Sequence, residues 1–286
     1  MKITNTQNLP TPFIDAVSNE YEFAENEYRV TSLLKGIRET ILERRHRNEI
    51  EQDASDMLWL ILGSAVHSIM ENAQEKDCEI KEERLKVDIN GYILSGQFDL
   101  YNAETETITD YKTASVWKIM FANYDDWRKQ LLIYGYMLRK IGFNVQKGEI
   151  VAMLKDHNKR DSKYKEGYPK FPVQTVKFTF TDKDFEDIGV WLKSKFADIE
   201  YMEQLADDDL PICTPEERYN SGDKYAVMKK GRKTALRVLD TKEAAEEWLT
   251  ANGGDYIEER KGEDKKCVDY CNAAPFCSYA RERGYV

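Results

Sequence analysis

The stretch Ser95 to Thr113, SGQFDLYNAETETITDYKT, restricts the chain more than any other. It reads as two strands joined by a short polar turn, with Asp99 on the first and Asp110 and Lys112 on the second. Residues at i and i+2 of a strand share a face, so Asp110 and Lys112 project together. The hairpin brings Asp99 beside them. Two carboxylates at one spot repel each other. A divalent cation would remove that repulsion and leave the lysine free to act on a water or a phosphate.

The flanking sequence predicts the rest of such a site. Glu79 to Ile89 alternates charged and apolar residues and reads as one strand. Asn90-Gly91 is a type I′ hairpin signal, followed by a strand from Tyr92 to Tyr101 and a third from Glu106 to Thr113. The expectation is an antiparallel meander of three strands. Ahead of it, a helix is predicted from about Asp53–Asp56 to Gln74, with Leu58, Ile61, Leu62, Ala65, Val66, Ile69 and Met70 at helical spacing. Gly63, His67 and Glu71 fall on one face of that helix. Glycine costs about 1 kcal/mol of helix propensity against alanine, so Gly63 implies a close approach. After the strands, Tyr124 to Lys140 is a second helix with Gln130 and Tyr134 on one face. Lys147–Lys155 and Val173–Phe180 are further strands, and Asp182–Leu205 is a long helix with a solvated acidic face.

At the N-terminus, residues 1–30 are polar and irregular, and a helix is expected from Thr31 or Ser32 through about Arg47. Its basic end, Arg44, Arg45, His46 and Arg47, suits a helix C-terminus. A break is expected at Ala206–Pro211, then a hairpin over 225–239 and a short helix over 241–249. The domains are expected as an N-terminal arm over 1–54, a core over 55–205 and a C-terminal segment over 206–286.

Composition narrows the function classes. The chain has 286 residues and a net charge of −10, which argues against a protein that coats nucleic acid non-specifically. Two local basic loops stand out, Lys155–Lys170 and Lys224–Lys233. The longest apolar run, Met57–Val66, is too short to span a membrane, and the first residues lack the apolar core of a signal peptide. A cytoplasmic protein without a membrane partner is expected. Three of the five cysteines, Cys267, Cys271 and Cys277, lie within eleven residues, which suggests a metal site. The fourth ligand would be Cys213, which opens the same segment, or Cys78. Cys78 reads most simply as a structural thiol.

Four short patterns fall in order on these elements: G-x3-H at Gly63–His67, G-x2-D at Gly96–Asp99, D-Y-K-T at Asp110–Thr113 and Q-x3-Y at Gln130–Tyr134. Together they resemble the PD-(D/E)XK nuclease superfamily, and within it the RecB-like exonuclease group, over about residues 55–180. The resemblance implies an α/β fold with a restriction-endonuclease-like core: αβββαβ order, a central mixed sheet flanked by helices, and a small cysteine-rich C-terminal segment. It implies Mg2+ or Mn2+ held by His67, Asp99, Asp110 and the Tyr111 carbonyl, with Lys112 acting on the attacking water. Gln130 and Tyr134 would shape the site and contact the DNA backbone. Glu71 is an extra candidate to which the resemblance assigns no role. Some of these nucleases hold an iron–sulfur cluster, with one cysteine before the core and three after it. This chain departs from that pattern, since residues 1–77 contain no cysteine. A [4Fe-4S] cluster on Cys213, Cys267, Cys271 and Cys277 is expected, with zinc as the alternative.

The implied activity is metal-dependent DNA hydrolysis at ends or single strands, in recombination, repair or phage DNA metabolism, in a bacterium or a phage-infected host. No helicase motif is present, so unwinding would need a helicase or recombination partner. Two other classes stay open at this stage. One is a non-cleaving DNA-binding or assembly subunit that keeps the fold. The other makes the C-terminal cysteines a redox sensor.

Overall fold

The computed structural model describes residues 1–18, 24–74 and 76–286. Glu20 and Glu22 of the polar N-terminal stretch lie outside the described residues. The chain begins with β1 (Lys2–Thr4), α1 (Thr11–Val17), β2 (Glu27–Arg29) and α2 (Val30–Leu33). Then come α3 (Ile37–Arg45), β3 (Glu51–Asp53) and α4 (Leu58–Glu71). Five strands follow: β4 (Glu79–Lys81), β5 (Arg84–Ile89), β6 (Tyr92–Gln97), β7 (Leu100–Asn102) and β8 (Thr107–Ala114). After them come α5 (Val116–Phe121), α6 (Asp125–Lys140), β9 (Lys147–Leu154), α7 (Asp161–Tyr164), β10 (Val173–Thr179) and α8 (Asp182–Met202). The last part holds β11 (Lys224–Met228), β12 (Arg237–Leu239), α9 (Lys242–Asn252), β13 (Tyr256–Arg260), α10 (Lys265–Asp269) and α11 (Ser278–Glu282). No described helix is long and apolar enough to cross a membrane.

Contacts divide the chain into two compact units. One is Met1–Lys35 with Asn48–Gln204; the other is Gly36–Arg47 with Leu205–Val286. Residues 1–54 are therefore shared between them.

In the first unit a five-stranded sheet runs in the order β10-β9-β8-β7-β4. It is mixed: β8 and β9 are parallel and the other pairs antiparallel. β9 alternates along its length, burying Gly148, Ile150, Ala152 and Leu154. Helix α6 packs on β8 and β9. Its inward face includes Trp127, Leu131, Tyr134 and Leu138, at the three- and four-residue intervals that line one side of a helix. Helix α8 packs on α6 and starts at a reciprocal cap: Thr181 accepts from the Asp184 amide while Asp184 accepts from the Thr181 amide. This is an α/β fold with a mixed central sheet flanked by helices, broadly restriction-endonuclease-like.

The expected meander is bent into two sheets. β4, β7 and β8 belong to the five-stranded sheet, whereas β5 and β6 pair in a second one, ordered β2-β6-β5. The strand predicted over 79–89 breaks at Glu82–Glu83, where Glu82 takes φ +47°. The strand predicted over 92–101 breaks opposite, at Phe98–Asp99. β2, far upstream, runs parallel to β6 with Tyr28 beside Leu94 and holds it out of the main sheet.

Other expectations are corrected as well. The helix predicted through Arg47 is two helices, because the chain turns at Gly36, which caps α3. A Cβ at Gly36 would lie 2.9 Å from the Cys213 sulfur. Gly63 makes no close approach: no atom lies within 4 Å of where its Cβ would be. Helix α5 was not legible in the sequence. Val190 on α8 is exposed.

In the second unit β11 is central between β12 and β13, both antiparallel to it. The hairpin predicted there has this third strand, β13, and α9 packs on all three. The basic end of α3 is tied down within the unit: Arg45 and His46 each lie 2.6 Å from one oxygen of Asp207. His46 also stacks on Phe276 at 4.1 Å.

Candidate active site

Three elements of the first unit meet at the bends. β8 carries Asp110 and Lys112, and both project from one face. Asp110 is buried, and Lys112 is partly exposed. The Lys112 ammonium lies 2.8 and 3.1 Å from the two oxygens of Asp110. Gln130 on α6 donates to Asp110 Oδ1 at 3.1 Å, and Tyr134 stands one turn further along the same helix face. Tyr134 in turn fills the space over Gly96, where a Cβ would come within 2.5 Å of its ring. Gln130 and Tyr134 are both buried.

Asp99 sits at the break between β6 and β7, where the chain leaves one sheet for the other. Its Oδ2 accepts the Tyr111 amide at 2.6 Å. Its Oδ1 lies 3.2 Å from His67 Nδ1 on α4. The same nitrogen is 3.6 Å from Glu82 Oε1. Ligand atoms of His67, Glu82 and Asp99 all fall within 4.8 Å of one another, a group that could hold a metal ion. Gln97 donates to the other Glu82 oxygen at 2.9 Å and fixes its orientation. Glu71 is exposed and stands outside this group, although its charge reaches Glu82.

Glu82 is the residue that sequence reasoning missed. A signal existed. Ile80 is even-numbered, while Leu85, Val87 and Ile89 are odd, so the period-2 pattern slips between them. Such a slip marks a break in the strand, and Glu82 occupies it.

The electrostatics follow from crowding acids out of water. Burial pushes the Asp110 carboxyl up to about 6; the Lys112 charge opposes the shift and the Asp99 charge adds to it. Burial likewise raises Glu82, helped by Asp99. The hydrogen bond to Asp99 raises His67, outweighing its burial. Two buried oxygens, Glu82 Oε1 and Asp110 Oδ2, have no hydrogen-bond partner among the described residues. Asp110 Oδ2 has the Lys112 charge nearby but without hydrogen-bond alignment. Leaving a buried acceptor unmet costs about 1–3 kcal/mol, more when it is charged. A divalent cation would meet this need with the hard oxygen donors it prefers.

In the second unit Cys213, Cys267, Cys271 and Cys277 line one cavity, with Arg38 and Glu39. Burial pushes the Cys213 thiol up to about 11 and Cys271 up to about 12. The buried Arg38 donates from Nε to the Cys277 sulfur at 3.1 Å. Among the described residues no three of the four sulfurs lie within 4.8 Å of one another. Cys78 belongs to the first unit, 3.5 Å from the Asn102 amide nitrogen.

No protein-family model matches the chain, and no curated protein matches its sequence. Among solved structures, the chain is similar to the protein SSO0001 at 17% identity and a TM-score of 0.45, over 65% of this chain and 81% of that one. It is similar to a phage-related exonuclease from Haemophilus somnus 129PT at 12% identity and a TM-score of 0.34, covering 65% and 98%. The alkaline exonuclease LHK-Exo from Laribacter hongkongensis matches at 12% identity and a TM-score of 0.35, covering 63% and 92%.

Proposed function

We propose that this chain is a Mg2+- or Mn2+-dependent deoxyribonuclease that hydrolyses DNA at ends or in single strands. One observation carries the reading: His67, Glu82 and Asp99 converge within 4.8 Å, with the buried oxygens Glu82 Oε1 and Asp110 Oδ2 making no hydrogen bond among the described residues and Lys112 ion-paired to Asp110.

His67, Glu82, Asp99 and Asp110 would hold the cation. The Tyr111 carbonyl would join them, since an extended residue turns its carbonyl to the same strand edge as its amide, here the edge facing Asp99. Bound there, the cation would offset phosphate charge and lower the pKa of a water. Lys112, partly exposed, orients the attacking water oxygen and balances charge as the bond from phosphorus to the leaving 3′ oxygen breaks. The products are a 5′-phosphate and a 3′-hydroxyl. Gln130 holds the Asp110 carboxylate in place through its 3.1 Å bond, and Tyr134 backs Gln130.

The four cysteines suit a second, soft metal site. The raised thiols of Cys213, Cys267 and Cys271 would need a metal to be held as thiolates, and the Arg38 N–H to Cys277 favours anionic sulfur. A zinc ion bonded to sulfur at about 2.3 Å draws four ligands to about 3.8 Å of one another. On the family likeness a [4Fe-4S] cluster is proposed ahead of zinc.

The deciding assay incubates linear, circular and single-stranded DNA with Mg2+ and with Mn2+. Cleavage by the parent is expected, with Lys112→Ala losing it while keeping DNA and metal binding. If Lys112→Ala cuts like the parent, the mechanism is wrong. If the parent binds DNA but cuts no substrate, the chain is a non-cleaving subunit.

A further inference from the structure

Resting on the nuclease reading above, we propose that an aromatic and lysine surface beside β8 is a track for a single DNA strand. The surface lies wholly within the first unit. It begins where the catalytic strand ends: Ala114 closes β8 and accepts from the Lys155 amide at 3.0 Å. Five residues beyond Lys112, Trp117 is half exposed and stacks on Phe121 at 5.6 Å, itself largely exposed. On the other side Trp59, near the start of α4, is half exposed, and the Lys155 ammonium lies 3.4 Å from its ring centre. Lys165 lies 4.9 Å from the Trp117 ring and 5.7 Å from that of Tyr168.

Exposed rings are costly in water, and here the exposed Trp59 and the Trp117–Phe121 stack are interleaved with the Lys155 and Lys165 ammonium groups. The loop 155–170 carries six lysines and arginines against three acids in a chain of net charge −10. None of the six forms an ion pair among the described residues. The loop is held firmly all the same. Asp156 accepts from Ser115 Oγ at 2.6 Å and from the Val116 amide at 2.7 Å, fastening the loop to the start of α5.

Unpaired bases offer flat faces for the rings, while lysines follow the phosphates. A duplex keeps its bases stacked inside and would leave the rings without partners. The charge of the loop and the exposure of the rings therefore fit one occupant, an unpaired strand leading to Lys112.

The test is equilibrium binding of a fluorescent oligo(dT) and of a blunt duplex hairpin to the full chain in EDTA, where no cutting occurs. Trp117→Ala with Phe121→Ala should weaken oligo(dT) binding about tenfold or more and change duplex binding less than about twofold. Trp117→Phe should restore most of the loss, which excludes misfolding as its cause. Lys155→Ala with Lys165→Ala should lower the salt dependence of oligo(dT) binding. Oligo(dT) should quench tryptophan fluorescence. Unchanged oligo(dT) affinity in the ring variant overturns the proposal, and so does equal loss for strand and duplex. A ring variant that loses self-association but keeps oligo(dT) affinity also overturns it and makes the surface a protein interface. Because binding is read without cleavage, the track and the nuclease reading fail separately.

Discussion

Glu82 and Asp99 face each other where both arms of the hairpin bend, with the Glu82 amide donating to the Asp99 carbonyl at 3.1 Å. That bond and a second, from the Phe98 amide to the Glu83 carbonyl at 3.4 Å, join the two breaks and hold the pair of carboxylates next to His67.

Glu82→Gln keeps the Gln97 contact within reach but removes one anionic donor from the group. Titration calorimetry with Mn2+ should show affinity lower by about tenfold or more, the order expected when a ligand carboxylate is lost. The metal-free variant should be at least as stable as the parent, because a repelling buried charge is gone. Parent-like Mn2+ affinity would remove Glu82 from the site.

The raised groups give a signed pH dependence. Asp110 keeps its proton in the fold up to about 6 and loses it near 4 when unfolded. Between those values the fold binds more protons than the unfolded chain, so metal-free stability falls as pH rises. His67, also raised, acts in the same direction: its contribution is full below its unfolded pKa of about 6.5 and is lost as pH rises through the folded value. A cation competes with the same protons. The gap in melting temperature with and without Mn2+ should therefore widen from pH 5 to pH 8. Asp110→Asn should flatten the lower part of this trend, and a gap that narrows with pH would contradict it.

Gly96→Ala places a Cβ within 2.5 Å of the Tyr134 ring and 2.9 Å of Val30. Both neighbours are buried, so relief must come from the backbone or from the Tyr134–Gln130 pair. Urea unfolding should show a loss of about 1–3 kcal/mol, the usual cost of overpacking a core. Gln130 would move with Tyr134, so cleavage should fall as well.

Arg38→Met removes the N–H donor to Cys277 and the charge beside four cysteines. Anaerobically purified variant should carry less iron per chain than the parent and show weaker visible absorbance. Cys213→Ala should do the same. Zinc in the parent without iron would replace the cluster by a zinc site, and neither metal would remove the site altogether.

The chain's own pattern disclosed more of the site than of the sheet. Asp99, Asp110, Lys112, Gln130 and Tyr134 were legible because i, i+2 on a strand and i, i+4 on a helix fix which residues share a face. The structure brings Asp110, Lys112 and Gln130 into one hydrogen-bonded set, with Tyr134 on the same face of α6 as Gln130, and Asp99 beside His67. The sheet was misread because periodicity reports a face and not a partner. Nothing local to 92–101 reveals that β2, more than sixty residues upstream, pairs with β6.

The amino-acid sequence by itself determined the inventory: two acids and a lysine on a strand pair, a histidine on the helix before them, four cysteines to line one cavity, and a basic loop. Tertiary structure alone decided how the inventory is used. Bending the hairpin between two sheets turned Glu82 inward, and burial raised the proton affinity of Asp110. Folding the basic loop over the end of β8 set lysines over tryptophans distant in sequence. Each of these depends on long-range pairing and on exclusion of water, and neither is encoded in a window of ten residues.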